Sequence, residues 1–338
     1  FSPLLLTLSI IPVINGLGAV SEGILRQRLA LRALALRTLA AQGIAAIIAL
    51  WMLTTGWGGW ALATFALINA ALTCALTVTL ARWRPRSLPS WKYQSLIWAT
   101  TATIMGRVLL TTTQMPLAQL AIGLTLGPAA AGAFQIATRM LELIEALTLS
   151  PLRFIALPEL SRSTNLRADL HTHLRRTSAL AAWVWGGTMV AAPEILTLAV
   201  GSTHAPAATP ILRALALLGL LSALLMPLTQ ALTAQGHTAL VLKRAALSLT
   251  LSTALILPAL TVSAITAAAA LSIAAALTAF WFTKRALTTL KLSANDLTPS
   301  VAPLIAGTIM TLLLTLCPPL SLAMQIALGT AIYLPLLA

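Results

Sequence analysis

The fold is decided by long, nearly uncharged stretches such as Ile211-Leu-Arg-Ala-Leu-Ala-Leu-Leu-Gly-Leu-Leu-Ser-Ala-Leu-Leu-Met-Pro-Leu-Thr-Gln-Ala-Leu-Thr-Ala234. Its one ionisable residue is Arg213, and at about 1.5 Å per residue a helix of this length crosses a hydrocarbon core of about 30 Å. The same composition continues through all 338 residues, of which 59% are hydrophobic and 8% charged. The sequence therefore predicts an all-α, polytopic membrane helix bundle and excludes a soluble globular domain.

Polar clusters and Gly or Pro signals divide the chain into a series of predicted membrane spans. Their bounds are 1–21, 38–55, 60–81, 93–126, 132–158, 178–199, 211–234, 245–262, 264–283, 299–317 and 320–338. Pro116 and Pro151 fall inside two of these spans, and we predict a bend at each because proline cannot donate the helical hydrogen bond. The segment from Gly23 to Arg37 is predicted to form an elbow helix on the membrane surface.

Along the chain, loops rich in basic residues alternate with loops that carry none, so the basic residues lie on one side of the predicted membrane. Most of the 21 Lys and Arg lie in every second loop, namely Arg26, Arg28, Arg32, Arg37; Arg82, Arg84, Arg86, Lys92; Arg162, Arg167, Arg175, Arg176; Lys243, Arg244; and Lys284, Arg285, Lys291. The positive-inside rule places these loops in the cytoplasm, and without aromatic interleaving they do not indicate nucleic-acid binding. His171 and His173 lie in one of these loops and are predicted to be solvated.

The span 132–158 carries charges that topology cannot explain. Arg139, Glu142, Glu145 and Arg153 would each cost about 2.5 to 3.5 kcal/mol at the bilayer centre without a partner. At about 100° per residue, Gln135, Arg139, Glu142 and Arg153 share about 60° of arc, and Glu145 lies about 60° further round. This polar face predicts either a water-filled cavity or a self-satisfied Arg139–Glu142 pair that only holds helices together.

Four stretches resemble one family. They are Gly127 to Glu142 continuing into Pro151 to Ser161, the basic connector Arg26 to Arg37, the turn Gly56 to Leu62, and Pro193 to Gly201. They resemble the bacterial O-antigen and exopolysaccharide flippases, a branch of the MATE-like multidrug/oligosaccharidyl-lipid/polysaccharide exporter superfamily. The chain begins at Phe1 inside an apolar run and ends inside another, so we expect it to be part of a longer protein.

The resemblance implies two pseudo-symmetric lobes of six helices followed by two further helices. The spans here would then be helices four to fourteen of fourteen. Residues 1–92 would be the remnant of the N-terminal lobe, 93–291 the C-terminal lobe, and 292–338 the two additional helices.

The function implied by the resemblance is alternating-access flipping of an oligosaccharide linked to an isoprenoid diphosphate of the undecaprenyl type. It would take place in the bacterial inner membrane, for lipopolysaccharide or exopolysaccharide biosynthesis. Membrane lipids and a polysaccharide polymerase machinery are the expected partners. No enzymatic activity, cofactor or metal is implied.

The polar side chains suggest how such a headgroup would be held. Arg107, in the span 93–126, precedes a Thr-rich run that ends in Gln114. We expect Arg107 and Arg139 to point into one cavity and to bind a diphosphate, with Gln135, Glu142, Glu145 and Arg153 lining it. In the absence of ligand, Glu142 or Glu145 would pair with an arginine.

Three other functions remain open. A multidrug or small-cation exporter of the same superfamily would have similar spans. However, the two spans predicted to line the cavity carry three arginines and two glutamates, which favours an anionic cargo. A membrane-embedded polysaccharide polymerase or ligase would be equally apolar, but we would expect it to need a larger outer loop. A purely structural subunit would have no polar face exposed to water.

Overall fold

The computed structural model describes residues 2–28, 30–82, 91–316 and 321–337. The regular structure in these residues is helical, with bounds α1 (Ser2–Leu8), α2 (Ile11–Gln27), α3 (Leu31–Thr54), α4 (Gly59–Ala81), α5 (Trp91–Leu126), α6 (Pro128–Thr148), α7 (Ser150–Ser161), α8 (Leu166–Val200), α9 (Ala205–Ala234), α10 (Thr238–Ala259), α11 (Ala264–Leu290), a 3₁₀ helix (Ala294–Ser300), α12 (Val301–Leu316) and α13 (Leu322–Leu337). The predicted loop residues Arg84 and Arg86, and the turn at Pro318 and Pro319, lie outside the described residues.

The helices confirm the predicted polytopic membrane architecture. Among the described residues, eight helical segments are long and apolar enough to cross a bilayer. Three other predicted spans are also helical, as α5, as α6 with α7, and as α13. The predicted span 178–199 begins earlier, at Leu166, because the side chain of Asn165 caps the helix by accepting a hydrogen bond from the Ala168 N–H.

The two prolines predicted to bend their helices behave differently. Helix α5 continues through Pro116 without a break, and a bend there stays a prediction. The predicted kink at Pro151 is confirmed as a break at Leu149, which separates α6 from α7. Pro151 lies in the first turn of α7, where a missing N–H costs no intrahelical hydrogen bond.

The predicted elbow helix between Gly23 and Arg37 does not form as a separate element. Helix α2 continues to Gln27 and α3 begins at Leu31, so most of this segment extends the two neighbouring helices. Arg26 lies within α2, and Arg32 and Arg37 lie within α3, because arginine has a high helix propensity.

Contacts divide the chain into two compact units, Phe1–Trp91 and Lys92–Ala338. In the first, α4 packs against α1, α2 and α3. In the second, α9 is central and packs against α6, α7, α8, α10 and α11. The assignment of residues 1–92, 93–291 and 292–338 to two lobes and an additional helix pair stays a prediction.

The core of the second unit is large and closely packed. Trp185 of α8 is 1% exposed, Phe134 of α6 is fully buried, and both join a cluster formed largely by α9 leucines and alanines. Small residues let the helix backbones approach each other, since between membrane helices close packing replaces much of the hydrophobic driving force.

In the first unit the structure buries a charge that the sequence had assigned to a loop. Arg37 is 9% exposed and lies inside α3. Its guanidinium donates to the Thr77 hydroxyl at 2.7 Å and lies 3.6 Å from the Glu22 carboxylate, which also binds Arg26. Arg37 therefore joins α3 to α2 and α4, in addition to any part it has in membrane topology.

Candidate functional site

Helix α6 presents the predicted polar face away from its own core. Ala133, Phe134, Ala137, Thr138 and Leu141 are buried on one side of the helix. Gln135, Arg139 and Glu142 are exposed on the other. With 70% of the Arg139 side chain and 55% of the Glu142 side chain exposed, these charges are not sealed between packed helices.

The carboxylates of this face are paired with arginines. Arg139 donates to Glu142 at 2.8 Å, within one turn of α6. Glu145 binds Arg153 across the break at Leu149 and so joins α6 to α7. The polar face thus consists of two ion pairs, one within α6 and one that spans the break.

Three arginines from three helices converge beside the second ion pair. Arg107 of α5, Arg153 of α7 and Arg244 of α10 lie close enough for their positive charges to act on one another. The carboxylate of Glu145 neutralises one of the three. Among the described residues, Arg107 and Arg244 have no carboxylate partner, so the cluster carries an excess of positive charge.

Arg244 is the most constrained member of this arginine cluster. Its Nε is buried and has no hydrogen-bond partner among the described residues. The guanidinium carbon lies 5.2 Å from the ring centroid of Phe282 in α11, a cation–π distance. A buried donor without an acceptor is costly, and an anion placed there would satisfy it.

Polar contacts hold α5 against α10 and thereby position the cluster. The hydroxyls of Thr103 and Thr238 are 3.2 Å apart. Deeper in the span, Gln114 donates to Ser252 at 2.7 Å and accepts from Ser248 at 3.3 Å. Arg244 lies six residues after the start of α10, which places the cluster about 9 Å inside the basic end of that helix.

That Arg107 and Arg139 point into one cavity stays a prediction. Arg107 lies near Arg153 of α7, whereas Arg139 lies in α6, before the break at Leu149. Arg139 is paired with Glu142. The predicted site residues divide into a group on α6, formed by Gln135, Arg139 and Glu142, and the arginine cluster beside Glu145.

Arg244 is the functional candidate that the sequence failed to reveal. It was assigned to a basic loop with Lys243, but α10 begins at Thr238 and carries both residues inside the helix. The signal for the start of this helix was the turn at Gly236 and His237, and His237 lies seven residues before Arg244. Only the folded structure shows that Arg244 has cationic neighbours, Arg107 of α5 and Arg153 of α7.

The two histidines predicted to be solvated are instead bound to carboxylates. His173 is 4% exposed and its Nε2 lies 3.0 Å from Glu159 of α7. His171 Nε2 lies 3.0 Å from Asp296 of the 3₁₀ helix. Their spacing of two residues directs them to opposite sides of α8, so each binds a different neighbour.

Among the described residues, no group of three or more His, Cys, Asp or Glu side chains could hold a metal ion.

The chain resembles a solved transporter structure. "Lipid II flippase MurJ, inward closed conformation" superimposes with a TM-score of 0.73 and 19% sequence identity, covering 99% of this chain and 73% of that chain. At this identity the similarity concerns the fold alone. No curated protein sequence matches the chain.

The fold and the long apolar helices define a multi-pass helical membrane protein with the MurJ type of fold. The sequence profile of the polysaccharide biosynthesis protein family matches residues 1–209, more than half of the chain. The chain therefore belongs to the polysaccharide biosynthesis protein family, which agrees with the family resemblance read from its motifs.

Proposed function

We propose that this protein flips an isoprenoid-diphosphate-linked oligosaccharide across the bacterial inner membrane for surface polysaccharide biosynthesis. The family supports the pathway class, and the fold is that of a flippase. The observation that carries the proposal is the cluster of Arg107, Arg153 and Arg244, which has one carboxylate, Glu145, for three positive charges.

The chemistry of the cluster suits a diphosphate. Guanidinium groups donate paired, charge-assisted hydrogen bonds to phosphate oxygens. A membrane interior strengthens these contacts because it lowers the local dielectric constant. A lipophilic cation would be repelled by the same residues, which argues against a drug or small-cation exporter.

The remaining polar side chains would serve the sugar and the return of the empty carrier. Gln135, Arg139 and Glu142 are exposed on the face of α6 and would contact the oligosaccharide as it crosses. Glu145 would hold Arg153 when no ligand is bound and release it when a diphosphate arrives. Such a ligand shifts the two access states only through its different affinity for each of them.

A reconstituted flipping assay tests the function directly. The protein is placed in liposomes with an isoprenoid-diphosphate oligosaccharide that carries a fluorophore on its sugar, and an impermeant quencher is added outside. We expect the quenched fraction to rise from the outer leaflet alone toward the whole population. Uptake of a fluorescent lipophilic cation without movement of the labelled lipid would support an exporter and refute the proposal.

Water access to the polar face of α6 is a separate prediction. In a variant whose two cysteines, Cys74 and Cys317, are replaced by alanine, Gln135→Cys is expected to react with a membrane-impermeant maleimide. A thiol reacts as the thiolate, which forms in water and not among acyl chains. The matched control is Ala137→Cys, which lies on the buried side of the same helix and is expected to stay unlabelled. Equal protection of both thiols in every transport state would show a dry, packed face.

A further inference from the structure

A second cationic feature lies at the basic end of α8. Arg167, His171 and Arg175 recur every four residues and therefore form one stripe along the helix. This stripe faces the 3₁₀ helix Ala294–Ser300 and the start of α12.

The first two members of the stripe share one buried carboxylate. Asp296 is 2% exposed, and its Oδ1 accepts from Arg167 Nε at 2.5 Å and lies 3.0 Å from His171 Nε2. Its Oδ2 accepts from the Ser293 N–H at 2.8 Å and from the Ser293 hydroxyl at 3.1 Å. Asp296 is therefore fully engaged and has no oxygen left for Arg175.

Arg175, one turn further along, borders a cavity. The cavity has a volume of about 490 Å³ and is lined by His171, Thr172, Arg175, Thr298, Pro299, Ala302 and Pro303. Within the part of the chain that the structure describes, the Arg175 guanidinium makes no ion pair. No carboxylate lines the cavity, while an arginine, a histidine and two threonine hydroxyls do.

We propose that this cavity binds a phosphate group, with Arg175 as its charged ligand. The hydroxyls of Thr172 and Thr298 donate to the carbonyls of Ala168 at 3.1 Å and Asn295 at 2.8 Å, and they would turn to the phosphate when it binds. A guanidinium and hydroxyls are the donors that phosphate oxygens prefer, and the volume is that of a small-molecule site. The Asp296 contacts fix the two walls relative to each other, so the site is pre-organised. This site is independent of the substrate that the protein moves.

The position of the cavity makes a lipid headgroup one source of that phosphate. Arg175 lies in the third turn of α8, near the point where the polar start of this helix gives way to its apolar stretch. The phosphates of a bilayer lie at this boundary, where basic residues attract anionic lipids. Inorganic phosphate in solution is the other source, because the cavity is open.

The two sources are separated by titrating purified protein in detergent micelles with phosphatidylglycerol, phosphatidylcholine or inorganic phosphate. A ligand that binds only the folded protein raises the melting temperature. We expect phosphatidylglycerol, inorganic phosphate or both to raise it, and phosphatidylcholine to have a smaller effect. A response to phosphatidylglycerol alone assigns the site to a lipid headgroup, and a response to inorganic phosphate assigns it to the free ion.

Arg175→Ala is expected to weaken the response at least about tenfold in ligand concentration, as the loss of a charge-assisted contact predicts. The matched control is Arg176→Ala, which removes the same charge from the next residue, outside the cavity lining.

Ala302→Leu keeps every charge but fills the cavity, and it is expected to weaken binding as well. Equal responses of wild type and Arg175→Ala, equal losses in Arg175→Ala and Arg176→Ala, or no response to any phosphate would overturn the proposal.

Discussion

Replacing Arg244 with methionine is expected to reduce flipping of the labelled diphosphate lipid by about ten- to a hundredfold. Loss of a hydrogen bond between charged groups costs about 1.5 to 3 kcal/mol, and each 1.4 kcal/mol is about tenfold. Methionine keeps an unbranched apolar side chain and removes the charged guanidinium that lies over Phe282. The initial rate of quenching in the liposome assay measures the effect.

The same substitution is expected to leave the melting temperature unchanged or to raise it. Arg244 is repelled by Arg107 and Arg153, and its buried Nε has no hydrogen-bond partner among the described residues, so its charge opposes folding. Residues kept for binding often oppose stability in this way. A variant that lost stability and flipping together would instead indicate a structural role for Arg244.

Lys243→Met is the matched control, since it removes the neighbouring positive charge from an exposed position on α10. We expect it to flip lipid at the wild-type rate. If Lys243→Met and Arg244→Met slow flipping equally, the effect comes from the basic end of the helix as a whole. The arginine cluster would then not be a specific diphosphate site.

Most of the fold could be predicted from the sequence because membrane insertion depends on local composition. A long apolar run predicts a helix such as α9, and the basic loops predict which ends of the helices face the cytoplasm. The Arg139–Glu142 pair was also foreseeable, since residues three apart on a helix are neighbours. These inferences need no knowledge of which helices touch.

The site was less predictable because its members come from helices far apart in the chain. Arg37, His173 and Arg244 each lie near basic loops, and the sequence reading of all three as surface residues was wrong. Their burial depends on partners such as Thr77, Glu159 and Phe282, which only tertiary packing brings to them. A basic residue near a span end can serve topology and a buried contact at once.

The close contact between α8 and α9 gives the largest stability prediction. A Cβ added at Gly219 of α9 would lie 2.6 Å from two ring atoms of Trp185 in α8. Trp185 is 1% exposed and surrounded by the core, so its ring cannot move aside. Gly219→Ala is therefore expected to cost about 2 kcal/mol, within the usual range for overpacking, and to lower the melting temperature in detergent.

Gly187→Ala on α8 is the matched control, because a Cβ at that position meets no atom within 4 Å. It is expected to be neutral or stabilising by up to about 1 kcal/mol, since alanine favours the helix over glycine. A double variant with Trp185→Phe removes part of the ring that obstructs the new methyl group. Gly219→Ala should then cost less than it does beside tryptophan, and the difference measures the coupling of the two residues. Equal costs in both backgrounds would show that the methyl group is harmful for a reason other than the Trp185 ring.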